Sequence, residues 1–194
     1  MKTFPQPTLY VFFGLIASGK STLGQVFAEK HNMRYYNSDV VRKELAGSPA
    51  ATGRTADFNQ GIYSREFTDK TYLALLERAE NDLAAGIPVI LDASYQDPQE
   101  RLRVRKLADK LCLPLYFVLC LCPEGEMKKR MEIRARDPKA VSDGRWEIYL
   151  KQKERYQPPE ELPEGSLITI DTNDSVENLL ATLESELAAI GAKL

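Results

Sequence analysis

The segment TLYVFFGLIASGKS, Thr8 to Ser21, restricts the fold of this chain more than any other. Thr8 to Phe13 reads as a short buried strand, and a glycine ends it. GLIASGKS then satisfies G-x-x-x-x-G-K-[ST] and leads into helical spacing at Leu23, Val26 and Phe27. Gly14 and Gly19 let the backbone curl so that successive N–H groups, those of Ala17, Ser18, Gly19, Lys20, Ser21 and Thr22, face one hollow. The helix start adds partial positive charge there. Lys20 supplies a mobile ammonium for the β- and γ-phosphates of a nucleotide, and the Ser21 hydroxyl is placed to ligate Mg²⁺. The alternative is a glycine-rich turn with an incidental lysine. A strand before the motif and a helix after it favour the phosphate cradle.

The rest of the chain repeats the alternation. MRYY (Met33 to Tyr36), Val89 to Leu91, PLYFVLCL and SLITI (Ser166 to Ile170) are further strand candidates. One helical stretch runs from about Phe58, with Tyr72, Leu76, Ala79 and Leu83 in helical spacing before Gly86. Another carries Val104, Leu107, Ala108 and Leu111, and two more run from Glu124 and from Gly144. A last stripe joins Val176, Leu179, Leu180, Leu183, Leu187 and Ile190. Short aliphatic strands alternating with amphipathic helices predict an α/β three-layer sandwich, a five-stranded parallel sheet covered on both faces. With 194 residues, the chain is long enough for one such domain and too short for two, so residues 1–194 are expected to form a single domain. AGSPAATGRTAD (46–57) reads as a mobile loop near a site, and YQPPEELPEGS as a proline-rich connection into the last strand.

A net charge of −2 advertises no nucleic-acid or anionic-membrane partner. No apolar run is long enough to cross a bilayer, and MKTFPQP lacks the apolar core of a signal peptide, so a cytoplasmic location is expected. Cys112, Cys120 and Cys122 lack metal-site spacing and read as buried thiols acting as small apolar residues. His31, late in the first helix, is expected to meet that helix's C-terminal dipole, and Trp146 to pack the helix after the basic segment.

In open parallel sheets, ligands sit at the carboxyl ends of the strands. Asp92, closing VILD, lies at such an end and could hold Mg²⁺ through water; the alternative is an aspartate capping the next turn. Ala93 and Ser94 follow where motor-type ATPases usually place a water-activating glutamate, which favours an acceptor other than water. At the end of the second strand, NSDVVR puts Asp39 and Arg42 on one helical face. A carboxylate there can accept the proton of an acceptor hydroxyl, and a guanidinium one turn on can grip the acceptor or the moving phosphoryl group. The same residues also suit a helix start, with Ser38 or Asp39 as N-cap and Asp39–Arg42 as a surface pair. The cradle beside them favours chemistry. KKRMEIRARDPK (Lys128 to Lys139) places Arg130 one helical turn before Arg134; it is either a solvated basic face or a lid whose cations stabilise charge as water is excluded.

GLIASGKST, the D-x-x-R of SDVVR, VILDAS and the basic RMEIRAR extend from Leu9 to about Tyr156. Together they resemble P-loop kinases of the branch that includes phage polynucleotide 5′-kinase, chloramphenicol phosphotransferase, gluconate kinase and zeta toxins. The chain is most similar to the uncharacterised kinases often fused to aminoglycoside phosphotransferase-like domains. The resemblance implies a nucleoside-kinase-like P-loop NTPase fold, ATP with Mg²⁺, and a helical basic lid at about 128–145. It implies Asp39 as general base and Arg42 as an acceptor- or phosphate-binding residue. It also implies that Arg130 stacks on adenine while Arg134 reaches the phosphates, with Arg136 a further candidate. Adenine itself rests on the resemblance, since IDTNDS after the fifth strand offers only backbone and short side chains to a base. In related kinases the helix GIYSREFTDKTYLALLERAE borders the acceptor, which makes Tyr63, Arg65 and Tyr72 either pocket residues or core.

The expected function is ATP-dependent transfer of the γ-phosphate to a hydroxyl of a small molecule, with Lys20, Asp39 and Arg42 at the reaction. A nucleic-acid 5′-hydroxyl acceptor is an alternative that the net charge does not favour. A nucleotide-binding regulatory module that phosphorylates nothing is another. Acceptor identity and oligomeric state are not encoded in these motifs.

Overall fold

The structure, a computed structural model, describes residues 7–47, 64–135 and 146–192. Its first strand, β1 (Leu9–Phe13), is buried at every residue. Side chains alternate between strand faces, so Leu9, Val11 and Phe13 enter one core while Tyr10 and Phe12 enter another. A strand buried on both faces needs helices on both. Among the described residues, β1 joins β2 (Arg34–Asn37), β3 (Val89–Asp92), β4 (Leu115–Leu121) and β5 (Leu167–Asp171) in one sheet of order β2-β3-β1-β4-β5. Every neighbouring pair is parallel.

On the first face lie α2 (Ser38–Leu45), α3 (Arg65–Ala84) and α4 (Pro98–Leu111), contributing Val41, Leu75, Ala79 and Val104 among others. The second face is covered by α1 (Lys20–Lys30) and α7 (Val176–Ala189) through Leu23, Phe27, Leu183 and Leu187. α5 (Glu124–Arg134) and α6 (Trp146–Arg155) pack Met127, Met131 and Tyr149 against Ala17 of the glycine-rich turn. This is the three-layer α/β arrangement with a five-stranded parallel sheet that the alternation predicts.

Several boundaries differ from the sequence-based expectation. The second strand is shifted by one residue, so Asn37 ends it, and the third runs on through Asp92. The helix that carries Tyr72 to Leu83 starts at Arg65, where the Ser64 hydroxyl accepts from the Phe67 N–H at 3.2 Å and caps it; Phe58, from which the spacing predicts a helical stretch, lies outside the described residues. Most of the 46–57 loop, Tyr63, Arg136, Gly144 and the later part of the lid segment lie outside the described residues. Cys120 is buried in β4, where burial pushes its thiol up to about 12. Cys112 is exposed instead, at the left-handed C-cap of α4. His31 caps α1 and lies 2.8 Å from Glu184 Oε1 of α7. Trp146 stacks on Tyr149 with ring centroids 4.6 Å apart. Among the described residues no helix is long and apolar enough to cross a membrane.

Candidate active site

The cradle is built by close approach of backbone to backbone. Gly14 has φ 140°, and a Cβ there would collide with the carbonyl oxygen of Cys120 in β4. Ala17 (φ 61°) and Gly19 (φ 84°) are left-handed, and together they curl the chain into the start of α1. No side chain caps that helix, so its first amides are available to an anion, and Lys20, Ser21 and Thr22 line the adjoining cleft. Lys20 Nζ folds back to the Leu15 carbonyl at 3.4 Å.

The rear of the cradle is fastened to the end of β5. The Thr172 hydroxyl donates to the carbonyl of buried Ser18 at 2.7 Å, and the Thr172 N–H donates to Leu121 O at 2.8 Å. Arg130 donates from Nη1 to Thr172 Oγ1 at 3.1 Å and from Nη2 to Thr172 O at 2.8 Å. Its guanidinium therefore stands against Gly19, where an added Cβ would come within 3.1 Å of Nη1.

Register brings the strand ends together, pairing Asp92 with Phe12 of β1 on one side and with Asn37 of β2 on the other. Asp92 is fully buried. Its Oδ2 accepts from the Tyr35 hydroxyl and from Asn37 Nδ2, the latter at 2.7 Å. Burial first, then the Asp92 charge, raises the pKa of the Tyr35 phenol, so it stays protonated and donates. Asn37 Nδ2 also lies 3.5 Å from Ser21 Oγ. Asp92 Oδ1 has no hydrogen-bond partner among the described residues. A buried carboxylate oxygen left in that state, one amide's reach from a serine hydroxyl, fits a hydrated Mg²⁺, which takes few protein ligands and keeps water and phosphate oxygens. Among the described residues no group of three or more His, Cys, Asp or Glu offers an all-protein cage.

α2 carries the third part. Its N-cap is Asn37, not Ser38 or Asp39: Asn37 Oδ1 accepts from the Asp39 and Val40 N–H groups at 2.9 and 3.2 Å. A cap at Asn37 leaves the Asp39 carboxyl free for other work. Burial raises the Asp39 pKa above the ordinary aspartate value; Lys20 and then Arg42 oppose the rise, and Asp92 adds to it. Arg42 is buried one turn later and donates from Nη1 to Thr68 Oγ1 of α3 at 3.2 Å.

A cleft of about 1510 Å³ joins these pieces, lined by Lys20, Ser21, Asp39, Arg42 and Arg134. Burial and then Arg130 lower the Arg134 pKa, while Asp92 and Asp39 oppose the fall, so both carboxylates feel its charge. Arg130 and Arg134 thus part company: one is pinned behind the cradle and the other lines the cleft. Arg65 and Tyr72 line it too, beyond Arg42, with Ser94, Asp97, Glu100 and Arg103. Burial, reinforced by Asp97, pushes Glu100 up to about 7.

Three contributors escaped sequence reading. Asn37 and Tyr35 hold Asp92, and Gln152 of α6 accepts from the Ile16 N–H at the cradle's mouth at 2.8 Å. Asn37 carried a local signal, since an asparagine before Ser-Asp is a good N-cap. Gln152 carried none, being 136 residues from its partner.

The comparisons with known proteins bear on family and fold. The AAA domain family model matches residues 9–159. An uncharacterized Mycobacterium tuberculosis protein is 32% identical over 118 residues, or 61% of this chain; the chain spans only 24% of that relative's length. A Synechococcus adenylate kinase is 26% identical, with 92% of this chain and 97% of that protein aligned. Among solved structures, the Mycobacterium tuberculosis APS kinase in complex with AMPPNP and APS aligns over 95% of this chain and 99% of that one (TM-score 0.67, 18% identity). A gluconokinase from Sinorhizobium meliloti 1021 aligns over 95% and 93% (TM-score 0.64, 21% identity). At these identities the structures establish the fold. With its parallel sheet, the glycine-rich turn after β1 and a family match across most of its length, the chain belongs to the AAA domain family and has a P-loop kinase-like fold.

Proposed function

We propose that this protein is a Mg²⁺-dependent kinase that moves the γ-phosphate of ATP to a hydroxyl of a small molecule. The observation that carries the reading is the convergence of Lys20, Ser21, Asp39, Arg42 and Arg134 on one cleft, with the Asp39 charge coupled to Lys20. The amides of Gly19 to Thr22 and the Lys20 ammonium hold the β- and γ-phosphates. Ser21 and, through water, Asp92 Oδ1 would hold Mg²⁺, which neutralises charge developing on the β- and γ-oxygens.

Asp39 accepts the proton as the acceptor oxygen bonds to the γ-phosphorus. The bond from that phosphorus to the β–γ bridging oxygen breaks, and ADP leaves. A carboxylate whose burial raises its pKa is a better base than an exposed one. Arg42 and Arg134 balance the charge spread over the equatorial oxygens. Arg130 acts through Thr172 and Gly19, holding the cradle near the nucleotide, and Arg136 extends the same basic segment. The acceptor enters from the side of Arg65, Thr68, Tyr72 and Glu100.

A small acceptor is favoured over a polynucleotide because, among the described residues there, Arg65 and Arg103 stand beside Asp69, Asp97 and Glu100, which is no basic track for a phosphate backbone. That such a domain can be carried on a larger protein is supported by the match to a quarter of a longer mycobacterial chain. The test is ADP release and label transfer from γ-labelled ATP over a panel of polyols, nucleosides and 5′-hydroxyl oligonucleotides at two salt concentrations. Acceptor-stimulated transfer to a small alcohol that Asp39→Ala abolishes is the expected result. Transfer only to oligonucleotides, or turnover indifferent to Asp39→Ala, overturns the acceptor class or the base respectively.

A further inference from the structure

Asn37 divides one planar amide between two parts of the site. Its Oδ1 caps α2, the helix that carries Asp39 and Arg42, through the Asp39 and Val40 N–H groups at 2.9 and 3.2 Å. Its Nδ2 meets Asp92 Oδ2 at 2.7 Å and Ser21 Oγ at 3.5 Å. A cap alone asks only for an acceptor, which Ser or Asp supplies equally well and Thr somewhat less well. Only an amide side chain puts an acceptor and two donors on one rigid plane. The strand register makes this possible, since Asn37 and Asp92 are direct neighbours across β2 and β3. Tyr35 donates to the same Asp92 oxygen, so both holds fall on Oδ2 and Oδ1 is left facing its surroundings without a partner among the described residues.

We infer that Asn37 is a positioning residue that couples the cation site to the acceptor helix. A shift of the Asp92 or Ser21 side chain on cation binding would pass through the amide plane to the first turn of α2, and would set the Asp39 carboxyl when metal and nucleotide are both bound. The inference rests on the proposed reading of Ser21 and Asp92 as the cation's residues. It does not need Asp39 to be the base.

Asn37→Ser and Asn37→Thr keep a capping oxygen but are too short to span from α2 to Asp92, so they separate the coupling from the cap. Either variant carries the measurement if the other is too unstable to study. Two binding readouts apply, with AMPPNP as nucleotide. The affinity of Mn²⁺ for the protein–AMPPNP complex, read by electron paramagnetic resonance, is expected to fall roughly 10-fold or more, as is usual for loss of a group that orients a metal ligand. Metal-free AMPPNP affinity, read by calorimetry, is expected to stay unchanged. In the unaltered protein, addition of Mg²⁺ to the AMPPNP complex is expected to slow hydrogen exchange at the Asp39 and Val40 amides, and in Asn37→Ser that response disappears. Mn²⁺ affinity within about twofold of the parent, or an exchange response that survives the substitution, overturns the coupling. Asp39→Ala leaves both readouts measurable, so failure of the proposed base and failure of the coupling are told apart.

Discussion

Asp39, the proposed base, is a residue whose place in the cleft opposes stability. Its carboxyl is partly buried, and that burial raises its pKa against the pull of Lys20 and Arg42. A carboxyl with a raised folded-state pKa binds its proton more tightly in the native state than in the unfolded chain. Stability therefore falls as pH rises from the ordinary aspartate value, about 4, through the raised one. Asp39→Asn removes this penalty. The variant is expected to melt higher than the parent at pH 7, with the difference vanishing as the pH approaches about 4. Its kcat is expected to drop by about 100-fold or more, the usual scale for a lost general base. Thermal melts over a pH series, with turnover at saturating ATP, check both halves. Gly19 is constrained from the other direction. Gly19→Ala would strain a left-handed backbone and press a methyl group to 2.9 Å from Thr172 Oγ1, so weaker AMPPNP binding by calorimetry is expected.

At the scale of elements, the cradle is held by α5 and the end of β5, not by its own glycines alone. Arg130 makes two hydrogen bonds to Thr172, and Thr172 in turn grips the Ser18 carbonyl. Arg130→Ala is expected to lower stability by about 1–2 kcal/mol in urea unfolding and to weaken AMPPNP binding even without metal, because the loosened partner is the cradle itself. Nothing in the segment RMEIRAR announces this tie. Sequence reading could find what is local: β1, the glycine turn and α1 are contiguous, and β1, β3, β4 and β5 betray themselves by aliphatic runs, whereas β2, RYYN, shows only its two tyrosines. Asp39 and Arg42 are legible for the same reason, one helical turn apart with a cradle upstream. What escaped depends on which strands become neighbours. Asn37 meets Asp92 across 55 residues, and Thr172 meets Ser18 across 154. No periodicity specifies that β3 lies between β1 and β2. The exposed Cys112 escaped because a left-handed C-cap projects it outward, although its neighbours are apolar.

At the scale of the whole molecule, the far wall of the cleft depends on a buried arginine whose carboxylate partner, Glu161, stays exposed. Arg101 is wholly buried, with Nε at 2.6 Å from Glu161 Oε1 and Nη1 at 2.6 Å from the Tyr95 carbonyl. It binds the proline-rich connection after α6 to the turn between β3 and α4, so two segments that line the cleft share one anchor. Arg101→Ala is expected to cost about 1–3 kcal/mol of stability in urea unfolding, since it leaves the carbonyls of Tyr95, Gln157 and Pro158 without their donor. Arg101→Lys is expected to recover only part of it, because an ammonium cannot reproduce the planar fork. The sheet, the cradle and this wall together frame the cleft in which the proposed reaction would set a nucleotide's terminal phosphorus between Lys20 and Asp39. The most direct test is a crystal structure with Mg²⁺ and AMPPNP bound. The expected arrangement is Ser21 Oγ on the cation, Asp92 Oδ1 on one of its waters, and the Asp39 carboxylate across the γ-phosphorus from the bridging nitrogen, with room for one hydroxyl oxygen between. An Asp39 carboxylate turned out of the cleft and away from that phosphorus would contradict it.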